Sequence, residues 1–143
     1  MGQRILVVDD ELDMLMLLQM IIEDNTDYAV ETTNNPSEAL KLLSQKCYDV
    51  VISDLKMPGM DGLELFGEMR QICPATPVIM ITAYGSAQAA DEALQAGVDD
   101  FITKPFRKDR ILFTIQRSLE MSRLKQENLE LKDKIGKDRS DKS

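Results

Sequence analysis

The sequence predicts an α/β fold: one five-stranded parallel sheet in the order 2-1-3-4-5, covered by helices on both faces and followed by an extended C-terminal helix. Three observations predict it. Strand-like and helix-like segments alternate strictly through about residues 1–120, the pattern of successive β–α units. The first, third and fourth strand segments are almost wholly apolar, as strands buried on both faces must be. The second alternates and the fifth is short, so both read as edges, and right-handed crossovers then favour this order.

The elements follow from local chemistry. Ile5 to Val8 is a continuous apolar run and reads as a strand. Leu12 to Ile22 is longer and rich in Leu and Met, which suits a helix. Tyr28 to Thr33 alternates and is rich in β-branched residues. Pro36 to Gln45 opens on a proline and carries Ala39, Leu40, Leu42 and Leu43 at helical spacing, with Asn34 or Asn35 placed to cap it. Val50 to Ser53 is a strand, and Leu55 to Gly62 is a loop punctuated by Pro58, Gly59 and Gly62. Leu63 to Ile72 reads as helix and Pro77 to Thr82 as strand. Ser86 to Ala96 is an Ala-rich helix stopped by Gly97, and Asp100 to Thr103 is a short strand. From Arg107 a long helix runs to about Ile135.

Size and composition narrow the function. The chain has 143 residues, 43% of them hydrophobic, enough for one compact domain with an appendage. No apolar run approaches the roughly 20 residues needed to span a bilayer. The acids at Asp9, Asp10 and Glu11 come too early for a signal peptide, and Leu6 stands where a myristoylation signal needs Ser or Thr. A cytoplasmic protein is expected. In that compartment Cys47 and Cys73 are expected to be free, small hydrophobic side chains rather than a disulfide. The formal net charge of −8 argues against tight nucleic-acid binding by this segment. With no histidine in the chain, imidazole chemistry of its own is excluded.

The chemistry is read from the ends of the strands, because open α/β sheets bind ligands there, beside the point where strand order reverses. Strand 1 ends in Asp9 and Asp10, strand 3 in Asp54, strand 4 in Thr82 and strand 5 in Lys104, followed by Pro105. Strands 1 and 3 adjoin at the reversal point, so three carboxylates converge. Mutual repulsion requires either protonation or a shared cation. Hard oxygen ligands without imidazole or thiolate favour Mg²⁺, which keeps coordination sites for water and phosphate oxygen. A carboxylate so placed is a nucleophile for phosphoryl transfer. Lys104 and Thr82 would then neutralise and hydrogen-bond the phosphoryl oxygens.

These residues resemble the response-regulator receiver family of two-component systems. The resemblance is carried by Val7-Val8-Asp9-Asp10-Glu11, by Asp54-Leu55-Lys56-Met57-Pro58-Gly59-Met60-Asp61-Gly62, by Thr82-Ala83 and by Lys104-Pro105-Phe106, over about residues 3–120. It implies a flavodoxin-like fold, with Asp54 as phosphoryl acceptor and a sensor histidine kinase as donor partner. Asp10 and Asp54 would ligate Mg²⁺ through side chains, Lys56 through its backbone carbonyl and Asp9 through water. Thr82 and Phe101 would form the switch pair and Lys104 the phosphate partner, ahead of a cis Lys–Pro bond. The resemblance also implies a switch rather than an enzyme: the chain would catalyse only its own phosphorylation and slow dephosphorylation. The Ala-rich fourth helix, with little large apolar surface, is expected to shift cheaply, so that the face of helix 4, strand 5 and helix 5 carries the signal.

Three segments are expected: a receiver over 1–120, a helical linker over 121–135 and a disordered tail over 136–143. In the linker, Met121, Asn128 and Ile135 fall at heptad position a, and Leu124 and Leu131 at d, the seam of a parallel homodimeric coil. A receiver followed by such a helix resembles the sigma-54-dependent transcription activators. Their ATPase and DNA-binding output domains are missing here, so the chain is expected to be a fragment of such a regulator, the alternative being a stand-alone receiver. Other functions fit the residues less well. An aspartate-nucleophile phosphatase needs a second acid two residues after Asp54, where Lys56 stands. A flavin or nucleotide binder needs phosphate-accepting amides after strand 1, where three acids stand instead. A non-phosphorylated dimerisation module would not need the acids.

Overall fold

The computed structural model describes residues 3–57, 59, 62–83 and 87–141, with side chains through residue 125 and at 127. Five β–α units follow in order: β1 (Arg4–Val8), α1 (Leu12–Asn25), β2 (Ala29–Thr33), α2 (Pro36–Gln45), β3 (Val50–Asp54), α3 (Gly62–Ile72), β4 (Val78–Thr82), α4 (Ala87–Ala96), β5 (Asp100–Thr103) and α5 (Lys108–Asp141). All four strand pairings are parallel and the order is β2-β1-β3-β4-β5, as the sequence predicted.

The sheet has a separate core on each face, because side chains alternate along a strand. Ile5, Val7, Ile52, Ile79, Ile81 and Ile102 pack against Leu15, Leu18 and Ile22 of α1 and against Ile111 and Ile115 of α5. Leu6, Val8, Val51, Val78 and Met80 point the other way, onto Ala39 and Leu43 of α2, onto Leu65, Phe66 and Met69 of α3, and onto Ala93 of α4. This two-sided burial is why β1, β3 and β4 read as unbroken apolar runs.

The helix ends carry the expected devices. Asn35 caps α2, its side-chain oxygen accepting from the Ser37 and Glu38 amides, with Pro36 in the first turn. Gly97 ends α4 at φ +109°, and the Gly97 and Val98 amides donate to the carbonyls of Leu94 and Ala93, a Schellman closure that a left-handed residue permits. Ala93 is the one fully buried side chain among the described residues of α4. Helix α5 continues through Gly136 to Asp141, past the end at Ile135 expected from the sequence. The Lys104–Pro105 bond is cis.

One expectation is overturned. Cys47 and Cys73 form a disulfide, with Cα atoms 5.9 Å apart and a sequence separation of 26. Compartment and spacing in sequence do not report how close two cysteines come in the fold. The fold brings the loop after α2 against the end of α3, well inside the Cα range a disulfide spans.

Candidate functional site

The strand ends deliver the acids to one place. β1 and β3 are neighbours with Val8 opposite Ser53, so Asp9 leaves β1 beside Asp54 at the end of β3. Oxygens of Asp9, Asp10, Glu11 and Asp54 lie within 4.8 Å of one another. Asp9 and Asp54 are buried, whereas Asp10 and Glu11 are exposed. Lys104, just beyond β5, reaches across from the far side, its ammonium donating to Asp9 Oδ2 at 3.2 Å and to Asp54 Oδ2 at 3.3 Å.

The electrostatics follow from this crowding. Burial, then the neighbouring Asp54 charge, pushes the Asp9 carboxyl up to about 6, against the opposing pull of the Glu11 amide and Lys104. Burial works to lower the pKa of Lys104, but the facing carboxylates of Asp9 and Asp54 outweigh it and hold the ammonium above the ordinary lysine range. The Glu11 amide donates to Asp9 Oδ1 at 2.9 Å, and the Lys56 amide to Asp54 Oδ1 at 3.2 Å. Both acids are thus oriented by the backbone two residues on.

An open cleft of about 270 Å³ lies over the cluster, bordered by Asp10, Glu11, Asp54, Lys56, Ala83 and Lys104. The donor set is oxygen only; Asp54 borders the cleft, and the Lys104 ammonium stands against both buried acids. A hard divalent cation fits this oxygen chemistry.

Thr82, fully buried at the end of β4, comes two residues after Met80, which is paired with Phe101 on β5. Phe101 is half-buried on the edge of the core that faces α3 and α4, one pleat below Thr82 on the same side of the sheet. The structure therefore gathers Asp9, Asp10, Asp54, Lys56 and Lys104 around one cleft, with Thr82 and Phe101 behind it. Met121 and Leu124 lie far along α5, exposed, and the side chains of Asn128, Leu131 and Ile135 lie outside the described residues.

Two contributors were missed as site residues. Glu11 adds a fourth carboxylate, and its signal was the unbroken acidic run. Gly62 opens α3 against β3: a Cβ there would meet the Asp54 carbonyl oxygen at 2.5 Å and the Leu55 Cα at 2.8 Å. Its amide donates to the Leu55 carbonyl at 2.8 Å, which ties the start of α3 to the end of β3.

A flavodoxin-like sheet with an acidic cleft and a facing lysine at its switch point defines a small class of α/β proteins. The family model for the response regulator receiver domain matches residues 5–116, and the chain belongs to that family. It is 42% identical over 119 residues to the transcriptional regulatory protein GlrR of Escherichia coli (strain K12), covering 83% of this chain and 27% of the relative. It is 38% identical over 128 residues to the C4-dicarboxylate transport transcriptional regulatory protein DctD of Rhizobium meliloti (strain 1021), covering 90% of this chain and 28% of the relative. The chain thus spans little more than a quarter of the curated relatives it matches. Among solved structures, NtrX from Brucella abortus superposes with a TM-score of 0.86 at 36% identity, over 92% of this chain and 30% of that one. The beryllofluoride-activated NtrC4 receiver domain dimer superposes with a TM-score of 0.79 at 34% identity, over 83% and 98%. Among the described residues no helix is long and apolar enough to cross a membrane.

Proposed function

We propose that the chain is a phosphoryl-accepting switch, charged at Asp54 by a sensor histidine kinase with Mg²⁺ in the cleft, that controls an output domain. The observation that carries this reading is the cluster of carboxylate oxygens within 4.8 Å of one another, with the Lys104 ammonium within 3.3 Å of the two buried ones. In the transfer, an Asp54 carboxylate oxygen attacks the phosphorus of a phosphohistidine. The P–O bond forms as the P–N bond breaks, and the electron pair leaves with the imidazole. Mg²⁺, when bound by Asp10, Asp54 and the Lys56 carbonyl, with Asp9 assisting through water, supplies positive charge to the phosphoryl oxygens.

The chain's own residues do the positioning. The Lys56 amide fixes one Asp54 oxygen and leaves the other facing the cleft with Lys104. The new dianionic group draws Lys104 away from Asp9, and the Thr82 hydroxyl turns to donate to a phosphoryl oxygen. Space vacated behind Thr82 accepts the Phe101 ring. Helix α4, which buries only Ala93 fully, shifts with it, so the α4–β5–α5 face changes its affinity for a partner. The chain then acts only on itself, through its own phosphorylation and slow dephosphorylation.

The names of GlrR and DctD point to transcriptional control as the output, exerted by a segment outside this chain, and to a cytoplasmic site of action. Homodimerisation along α5 is supported by the exposed Met121 and Leu124 and by the dimeric NtrC4 receiver. The test is intact mass after incubation with phosphoramidate and Mg²⁺. One phosphoryl adduct is expected on the chain and none on Asp54→Ala. An adduct that survives in Asp54→Ala, or none on either, overturns the proposal.

A further inference from the structure

We propose that Cys47 and Cys73 are a reversible thiol–disulfide site whose oxidation locks together the unit that carries Asp54. Cys47 lies just before β3 (Val50–Asp54) and Cys73 just after α3 (Gly62–Ile72). The covalent ring they close therefore contains the acceptor strand, the loop after it and the helix that follows, and no other regular element.

Accessibility makes the bridge reversible. Cys73 is buried in the core beside Tyr48, Met69 and Val78. Cys47 is exposed, and the bridge borders an open cleft of about 800 Å³ at the end of the sheet opposite the acids. A small thiol can reach the Cys47 sulfur from solvent, and a disulfide open to a thiol pool is of the labile, regulatory kind. The thiolate attacks Cys47 Sγ, the S–S bond breaks, and Cys73 leaves as thiolate and takes up a proton. A second thiolate attacks the small thiol's sulfur in the mixed disulfide and releases Cys47. Two electrons and two protons pass from two thiols, which leave as one disulfide. Oxidation by a small disulfide such as oxidised glutathione runs the same steps in reverse.

The fold does not need the bridge to stay closed. The Thr76 hydroxyl donates to the Tyr48 carbonyl at 3.0 Å across the same two loops. The Asp49 amide donates to the Arg4 carbonyl at 2.8 Å, and the Arg4 amide to Asp49 Oδ2 at 2.7 Å. The Arg70 guanidinium pins the turn after α3 through the Pro74 carbonyl at 2.8 Å. A reduced Cys73 remains a small apolar side chain in the same core. What reduction releases is the covalent limit on how far β3 and α3 open together, a local motion rather than global unfolding.

The test uses the full chain in glutathione buffers of varied ratio, followed by alkylation and peptide mapping, with hydrogen exchange on each form. Reduced buffers are expected to give two alkylated cysteines and oxidised buffers none, reversibly. Amide exchange in residues 50–72 is expected to be slower by roughly tenfold or more in the oxidised form. Cys47→Ser and Cys73→Ala should each exchange like the reduced form in both buffers. Thiols that stay alkylatable in oxidised glutathione, a bridge that resists reduced glutathione in the folded protein, or equal exchange in the two forms would each overturn the proposal. None of these readouts requires phosphorylation, so the inference stands or falls apart from the function proposed above.

Discussion

Replacing Gly62 by alanine adds one methyl group at the tightest backbone approach near the site. The new Cβ would stand 2.5 Å from the Asp54 carbonyl oxygen, 2.8 Å from the Leu55 Cα and 3.1 Å from the Met80 sulfur. The first two are backbone atoms of β3 and its exit, so neither can rotate away. Either α3 lifts off β3 and loses the 2.8 Å bond from the Gly62 amide to Leu55, or the Asp54 carbonyl is displaced. Overpacking of this kind costs about 1–3 kcal/mol, and the usual helix gain of alanine over glycine, about 0.5–1 kcal/mol, offsets only part of it. A net loss of about 1.3 kcal/mol, at about 0.3 kcal/mol per degree for a chain of this length, lowers Tm by about 4 °C. Gly67 in the same helix is the control, since a Cβ there meets nothing within 4 Å. Gly67→Ala should raise Tm by about 2 °C through propensity alone. Thermal unfolding followed by circular dichroism reads both. If Gly62→Ala melts at or above the parent, or if Gly67→Ala falls as far, the close approach of α3 to β3 does not set the residue at position 62.

Three further predictions concern the charges. The Asp9 carboxyl is raised from 3.8 to about 6 in the folded chain, so the native state holds a proton that the unfolded state has already lost. Its stabilising contribution is complete below about pH 4 and is lost as pH rises through about 6, an effect of up to roughly 3 kcal/mol. In EDTA, urea unfolding of the parent should therefore weaken across that window relative to Asp9→Asn, and parallel profiles would refute the assignment. Deprotonation of the same group should favour a divalent cation, so Mg²⁺ affinity by isothermal titration should fall as pH drops below about 6. Lys104→Met removes the ammonium that faces Asp9 and Asp54. It should destabilise the metal-free protein by about 2–3 kcal/mol, with Mg²⁺ restoring more stability to the variant than to the parent. Equal denaturation midpoints for variant and parent in EDTA would contradict the charge-balancing role given to Lys104.

Most of the fold was legible because its signals are local. Unbroken apolar runs marked β1, β3 and β4, Pro36 and Asn35 marked the start of α2, and Gly97 marked the end of α4. The acids at Asp9, Asp10 and Asp54 and the lysine at Lys104 were legible as a site because strand order alone brings those strand ends together. Glu11 was visible in the same run but, without coordinates, indistinguishable from a residue that opens α1. Gly62 read only as loop punctuation, since its role depends on how closely α3 approaches β3.

The sequence by itself determined the order of elements, the identity of the converging charges and the two-sided burial of the central strands. Each of these follows from periodicity and from what stands at the end of a segment. Only the tertiary structure decided the pairing of Cys47 with Cys73, the clearance at Gly62 and the raised affinity of Asp9 for its proton. Those depend on distances of a few ångströms between parts of the chain far apart in sequence, and packing sets such distances where residue type and spacing cannot.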